Sequence, residues 1–185
     1  SDTFVYVTDE KNILNFLMLF ANLQTRIFLE TRTLLRGAIE IGQVQTLDSN
    51  KQIFGPAYIS AYLRQEKVAN YPRIIVRKET VDKIKQEDLS DDLILVSSDR
   101  EHYINYIVHS QEYKVRGKNN VIREFKRKNL FRYLIDQMNR KDTNDNVRSK
   151  YGWTISYLSS IGVWPNEKKY QDWEKSTRNN HCRII

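Results

Sequence analysis

The chain has few of the residues that mark secreted, fibrous or membrane proteins. Its single cysteine, Cys182, excludes an internal disulfide framework and a cysteine-based zinc site, and it suits a reducing cytoplasm. Three prolines and six glycines exclude a collagen-like or linker-dominated chain. The longest apolar stretch, residues 13 to 23, contains two asparagines and is too short to cross a bilayer. We therefore expect a cytoplasmic protein without a membrane partner.

Enough apolar and aromatic residues are present to build a hydrophobic core. Aromatic residues make up 11% of the chain, which excludes a disordered protein. The length of 185 residues supports one compact domain. We predict a single domain over residues 1 to 185, with a helical C-terminal part from about residue 121.

Hydrophobic periodicity and turn residues predict a mixture of strands and helices. The predicted strands are residues 3–8, 34–44, 52–54, 72–76, 93–97 and 102–108. The predicted helices are residues 11–30, 56–68, 78–87, 121–140 and 146–161. Gly37 and Gly42 indicate a bulge or a close approach within the second strand. Because the elements do not alternate strictly, we predict an α+β fold with a mainly antiparallel sheet flanked by helices.

Positive charge is concentrated in one part of the chain. Residues 114 to 150 contain twelve Lys or Arg and four Asp or Glu, a net charge of +8, whereas the whole chain has +7. This basic stretch could follow a nucleic-acid backbone. A solvated surface, or a field that attracts a polyanionic small molecule, explains the same charge. Nucleic acid is the less favoured partner because the common RNA-binding and zinc-finger signatures are absent.

Two polar residues stand out beside apolar strands. Asp2 precedes the first predicted strand, where an aspartate is either a cap or surface residue or a metal ligand. Arg36 lies within an otherwise apolar strand, so it either forms a structural ion pair or contacts an anionic ligand. The residues alone leave both alternatives open.

A block of short motifs lies between residues 36 and 75: RGAIEIG at 36–42, IFGPA at 53–57, Ala61-Tyr62, Glu66, Ala69 and YPRII at 71–75. This block resembles class III nucleotide cyclases, and more closely the pyrimidine cyclases of the bacterial Pycsar anti-phage system. Asp99 with YINY at 103–106, and KYGW at 150–153, resemble later parts of the same family. The resemblance covers nearly the whole chain, and residues 36 to 75 are its specific part.

The resemblance implies a class III cyclase fold and a lyase reaction. UTP or CTP would be converted to 3′,5′-cyclic UMP or CMP and pyrophosphate, by in-line attack of the 3′-hydroxyl assisted by two Mn²⁺ or Mg²⁺ ions. Asp2 matches the family's second metal-binding aspartate, and the first is expected upstream, with a strand and helices that precede Ser1. The family works as a homodimer with shared active sites. The cyclic nucleotide would act on a separate effector as an anti-phage signal.

Several positions depart from the purine cyclases of this class. Gln52 replaces an aspartate that reads the base, so it either addresses the pyrimidine or is an ordinary hairpin residue. Ile59 and Leu63 occupy the places of an asparagine and an arginine that support the transition state. We therefore take Arg36, Arg64 and Arg73 as candidates for the missing cation.

The candidate site residues divide by role. Arg36 and Arg64 are assigned as catalytic, Phe4, Gln52 and Arg73 as substrate-binding, and Asp2 as the metal ligand. UTP is favoured over CTP because no acceptor cluster is evident for the amine of cytosine. Two alternatives stay open, namely a catalytically inactive cyclase-like domain that binds nucleotides and a nucleic-acid-binding module.

Overall fold

The computed structural model describes residues 3–47, 52–85 and 92–164, which form a mixed α/β fold. Six helices are present in these ranges: α1 (Ile13–Thr31), α2 (Pro56–Lys67), α3 (Lys78–Lys85), α4 (Gln111–Arg127), α5 (Leu130–Asn139) and α6 (Asp145–Ser160). A short 3-10 turn, Glu10–Asn12, precedes α1. None of the helices in the described ranges combines the length and apolarity needed to cross a bilayer.

Within the same described ranges, six short strands form two sheets. The strands are β1 (Gly37–Ile39), β2 (Gln45–Leu47), β3 (Gln52–Phe54), β4 (Ile74–Val76), β5 (Ile94–Val96) and β6 (His102–Ile104). The larger sheet has the order β1-β4-β6-β5, and β2 pairs with β3 in a separate hairpin. The β1–β4 pairing is parallel, and the β4–β6 and β5–β6 pairings are antiparallel. The sheet is therefore mixed, with two of its three pairings antiparallel as predicted.

The core lies where α1, the central strands and the C-terminal helices meet. Apolar side chains from α1, β4 and α3 are buried with those of α4, α5 and α6. Thr25 and Gln24 of α1 tie the helix to the sheet end, because they donate hydrogen bonds to the carbonyls of Tyr106 and Pro72. These bonds satisfy polar groups that would otherwise be costly to bury.

The predicted strand at residues 3–8 is wrong. This segment has no regular secondary structure and pairs with no strand in the described parts of the chain. Its aromatic residues instead contact α1, where Phe4 stacks on Phe20 and Tyr6 packs against Phe16. Alternation of apolar and polar residues indicates an extended segment, but strand formation also needs a hydrogen-bonding neighbour.

The predicted strand at 34–44 is shorter than expected. Only Gly37–Ile39 pairs with β4, and residues 40–44 leave the sheet before β2 begins. At Gly42 the chain passes so close to α2 that an added Cβ would lie 3.1 Å from the Ala57 Cβ. The predicted close approach is therefore confirmed at Gly42. At Gly37 an added Cβ would make only an ordinary contact of 3.6 Å with Ile74.

The C-terminal helices begin and break differently from the prediction. Helicity starts at Gln111 instead of residue 121, after Ser110, whose side chain accepts a hydrogen bond from the Tyr113 N–H. The range of α4 is kinked at Gly117, whose φ of 74° is not helical. The helix predicted over 121–140 is interrupted at Asn129, which has φ of 53°. Asparagine tolerates this left-handed conformation better than most residues, so it can separate two helices. The prediction for the last helix agrees with α6 to within one residue at each end.

Candidate functional site

Arg73 immediately precedes β4, and its side chain has no solvent exposure. Its guanidinium forms an ion pair with the Asp99 carboxylate, in which Nη1 lies 3.1 Å from Oδ1. The same nitrogen also donates a hydrogen bond to the Ser97 hydroxyl. A buried charge of this kind is tolerated only when it is paired. Arg73 therefore joins the start of β4 to the turn between β5 and β6.

Three aromatic rings surround the Arg73 guanidinium. Its Cζ lies 5.3 Å from the Tyr71 ring centroid, 5.7 Å from that of Tyr103 and 5.9 Å from that of Trp153. These distances are within the range of cation–π attraction. In this conformation the guanidinium is enclosed, so the predicted contact between Arg73 and a substrate has no open path.

The ionisation of Asp99 reflects this pairing. Partial burial by itself would raise the pKa of the carboxyl group, but the hydrogen bonds from Arg73 and Ser97 and the Arg73 charge outweigh that effect. The pKa of Asp99 is therefore lowered from its ordinary value of 3.8. The carboxylate form predominates at neutral pH, as the buried arginine requires.

Arg64 of α2 belongs to a second charged cluster, which we call the Glu40 cluster: Glu40, Ser60, Arg64, Arg77 and Glu101. The Glu40 side chain is only 4% exposed, and its two oxygens lie 3.2 Å from Arg64 Nε and 3.0 Å from Arg77 Nε. The Arg64 contact is poorly angled for a hydrogen bond, so it is mainly an attraction between charges. Arg64 also pairs with Glu101 at 2.7 Å, and Arg77 donates to the Ser60 hydroxyl. The cluster fastens α2 to β1, β4 and β6.

Arg36 forms a structural ion pair, which is one of the two roles that its position in an apolar strand predicted. Its Nη2 lies 3.2 Å from the Glu66 carboxylate. Its Nη1 donates to the backbone carbonyls of Gln65 and Ala69, at the C-terminal end of α2. A cation at this end of a helix satisfies terminal carbonyls and complements the helix dipole. The three candidate arginines are thus all engaged by carboxylates of the chain.

The remaining candidate residues lie apart from the arginines. Gln52 is exposed in the β2–β3 hairpin, opposite Leu47. Phe4 is half-exposed, with its ring centroid 6.2 Å from that of Phe20. Asp2 lies outside the described residues. No contact within the described parts of the chain joins Phe4, Gln52 and the arginines into one site.

An exposed apolar surface was not foreseen from the sequence. Ala57 is the one buried residue of α2, whereas three large side chains of that helix are exposed. We group these three with two exposed apolar residues of the preceding hairpin and call the set the hairpin–helix surface: Leu47, Phe54, Ile59, Tyr62 and Leu63. The i, i+3 and i+4 spacing of the last three was a usable signal, since it places them on one face of a helix.

The described residues do not by themselves fit a two-metal site. No group of three or more His, Cys, Asp or Glu side chains in these parts of the chain could hold a metal ion. Both oxygens of the buried Glu40 carboxylate face arginines, which leaves that carboxylate poorly suited to a cation. The described residues therefore add no metal ligand to Asp2, the one predicted from the sequence.

The basic stretch is divided among α4, α5 and α6. Each of its four carboxylates pairs with an arginine: Glu124 with Arg127, Asp136 with Arg132, Asp142 with Arg140 and Asp145 with Arg148. The hydrogen bond from Arg127 lowers the pKa of Glu124 to about 2. The stretch is therefore spread over three helices and is not one basic helix.

Comparison with known proteins assigns no family. No protein-family model, no curated protein and no solved structure matches the chain.

Proposed function

We propose that the protein is a pyrimidine nucleotide cyclase. The observation that carries the proposal is that the described residues of the specific resemblance, 36–47 and 52–75, pack together as one unit. This unit runs from β1 through the β2–β3 hairpin and α2 to β4, which pairs in parallel with β1 from Gly37↔Ile74 to Ile39↔Val76. A motif block that folds as one unit is what a shared catalytic framework requires.

The proposed reaction is cyclisation of UTP, or of CTP, to the 3′,5′-cyclic monophosphate with release of pyrophosphate. Gln52 is the candidate for reading the base. Its amide can both donate and accept hydrogen bonds, and its side chain is exposed. Arg36 and Arg64 remain the candidates for a cation near the triphosphate. Each would have to exchange a carboxylate of the chain for a phosphate oxygen.

We further propose that the active unit is a homodimer covered at the hairpin–helix surface. The exposed Ile59 and Leu63 occupy the places where purine cyclases of this class carry polar residues that reach a shared active site. Large apolar side chains grouped on one surface favour burial against a protein partner. The proposed setting is the cytoplasm, where the product signals phage infection to a separate effector.

The proposal is tested by comparing two aspartates in the natural full-length protein. Asp2→Ala should abolish formation of cyclic UMP and cyclic CMP in the presence of Mn²⁺ while leaving the fold unchanged. The matched control is Asp9→Ala, because Asp9 is an exposed residue paired with Lys11 nearby in the sequence. Turnover that survives Asp2→Ala would refute the metal assignment, and equal loss in both variants would show a general effect of the substitutions.

The role of Gln52 has a separate readout. Gln52→Ala should change the ratio of UTP to CTP turnover more than the overall rate, since the side chain would contact the base and not the reacting atoms. The neighbouring Gln45, an exposed residue of β2, provides the control variant Gln45→Ala. An unchanged ratio would return Gln52 to the role of a hairpin residue.

The inactive cyclase-like domain is the second candidate function. It is favoured by the engagement of all three candidate arginines and by the apolar residues Ile59 and Leu63. This alternative predicts that nucleoside triphosphates bind without turnover in a folded, dimeric protein. The cyclase proposal predicts turnover under the same conditions.

A further inference from the structure

A cleft lies on the side of the molecule where the end of α1 meets α5 and the first turns of α6. Its volume is about 350 Å³, which falls within the usual range for small-molecule sites of about 300 to 1,000 Å³. Arg32 from the end of α1 and Lys150 from α6 both line the cleft, and no Asp or Glu of the described ranges does. None of the predicted site residues that the structure describes lines it.

The two cations are not neutralised by carboxylates in the described parts of the chain. Arg32 uses one guanidinium nitrogen, Nη2, to donate to the Lys128 carbonyl at 3.2 Å, and its Cζ lies 5.1 Å from the Tyr133 ring centroid. It forms no ion pair with a described residue, and the Lys150 ammonium likewise has no polar partner there. This contrasts with the nearby arginines of α5 and α6, which are paired with aspartates.

Hydroxyl groups add neutral donors to the same cleft. The Tyr133 and Tyr151 hydroxyl oxygens lie 3.4 Å apart, and one hydrogen is enough for that contact. The other hydroxyl hydrogen is available to a ligand. Burial and the contact with Tyr133 raise the pKa of Tyr151 to about 12, so it stays protonated at neutral pH. Leu34 and Val147 supply apolar wall.

We propose that this cleft binds a small organic phosphate. A phosphate group presents several oxygens that can accept from the Arg32 fork, the Lys150 ammonium and a tyrosine hydroxyl at the same time. The cleft is larger than the phosphate group alone requires, and its apolar wall can contact the organic part of the ligand. The inference rests on α1, α5 and α6, so it does not depend on the proposed cyclase activity.

Calorimetric titration tests the site with uridine monophosphate, pyrophosphate and unphosphorylated uridine as separate probes. We expect uridine monophosphate to bind and uridine not to bind. Pyrophosphate distinguishes the source of affinity, because tighter binding of pyrophosphate than of uridine monophosphate would overturn the assignment to an organic phosphate. No measurable binding of either phosphate probe would also overturn it.

Variants locate the binding. Lys150→Gln should weaken the binding of uridine monophosphate by about tenfold or more, the size expected for loss of a charged hydrogen bond. Arg32→Asn should have a similar effect, and asparagine tolerates the φ of 62° found at this position. The matched control is Lys141→Gln, an exposed lysine that does not line the cleft. Equal weakening by all three variants, or no weakening by Lys150→Gln and Arg32→Asn, would contradict the proposal.

Discussion

The guanidinium of Arg73 and the carboxylate of Asp99 form an ion pair that joins the start of β4 to the β5–β6 turn. The arginine is fully buried, whereas the aspartate remains partly in contact with solvent. The pair thus holds a surface turn against the sheet through a charge in the core. Removing the aspartate charge leaves the arginine charge in place, and this asymmetry makes the pair testable.

Asp99→Asn should lower the free energy of unfolding by about 1–2 kcal/mol. The substitution leaves the buried Arg73 guanidinium poorly paired, which is costly, but solvent around residue 99 reduces this cost. Urea denaturation followed by far-UV circular dichroism measures the change. The control, Asp142→Asn, removes an exposed partner of Arg140 and should cause no measurable loss. Equal stability of Asp99→Asn and the parent protein would show that the pair contributes nothing.

The contribution of Asp99 should also depend on pH. Because its folded-state pKa is lowered, the stabilisation is fully present above the unfolded-state pKa of about 3.9 and is lost as the pH falls through the folded-state value. The difference in unfolding free energy between the parent protein and Asp99→Asn should therefore be constant near neutrality and shrink in acid. Urea midpoints across a pH series measure it. A difference that grows on acidification would contradict the assigned direction.

Gly55 is expected to be intolerant of alanine. Its φ is 137°, and an added Cβ would lie 2.6 Å from the Gln43 carbonyl oxygen, which accepts a hydrogen bond from the Ala57 N–H. Gly55→Ala should destabilise the protein by about 1–3 kcal/mol, the usual cost of a strained backbone. Gly152→Ala is the control, because its Cβ would have ordinary space within α6 and should be neutral or mildly stabilising. Thermal unfolding of both variants distinguishes strain from a general effect of alanine.

The hairpin–helix surface should control self-association. Leu63→Ser should weaken dimerisation by about tenfold or more if this exposed leucine is buried at the subunit contact. Leu19→Ser, which alters a leucine of similar exposure on α1, should leave the dimer unchanged. Sedimentation velocity over a concentration series measures both. The proposal would be refuted by a dimer that Leu63→Ser does not affect, or by a parent protein that is monomeric at every concentration.

The local signals predicted much of the fold. Gly55 followed by Pro56 predicted the start of α2, and the apolar spacing after Lys11 predicted most of α1. The strand prediction at 3–8 failed because alternation of apolar and polar residues does not determine whether another strand lies beside the segment to pair with it. The first turns of α4 were missed because they contain few apolar residues, although Ser110 offered a capping signal.

The candidate site was less predictable than the fold. Arg36 was singled out by its apolar surroundings and Arg73 by the cyclase resemblance, but the carboxylates that engage them lie 30 and 26 positions away in the sequence. Such pairings depend on how helices and strands pack, which residue spacing does not encode. The cleft near Arg32 and Lys150 has the same origin, since its walls come from three helices.

The central proposal is tested most directly by supplying the full-length protein with Mn²⁺ and one nucleoside triphosphate at a time, and identifying the products by mass. The cyclase proposal predicts cyclic UMP from UTP, or cyclic CMP from CTP, with pyrophosphate in equal amount and no product from ATP or GTP. Absence of any cyclic product from a folded, dimeric protein would contradict it.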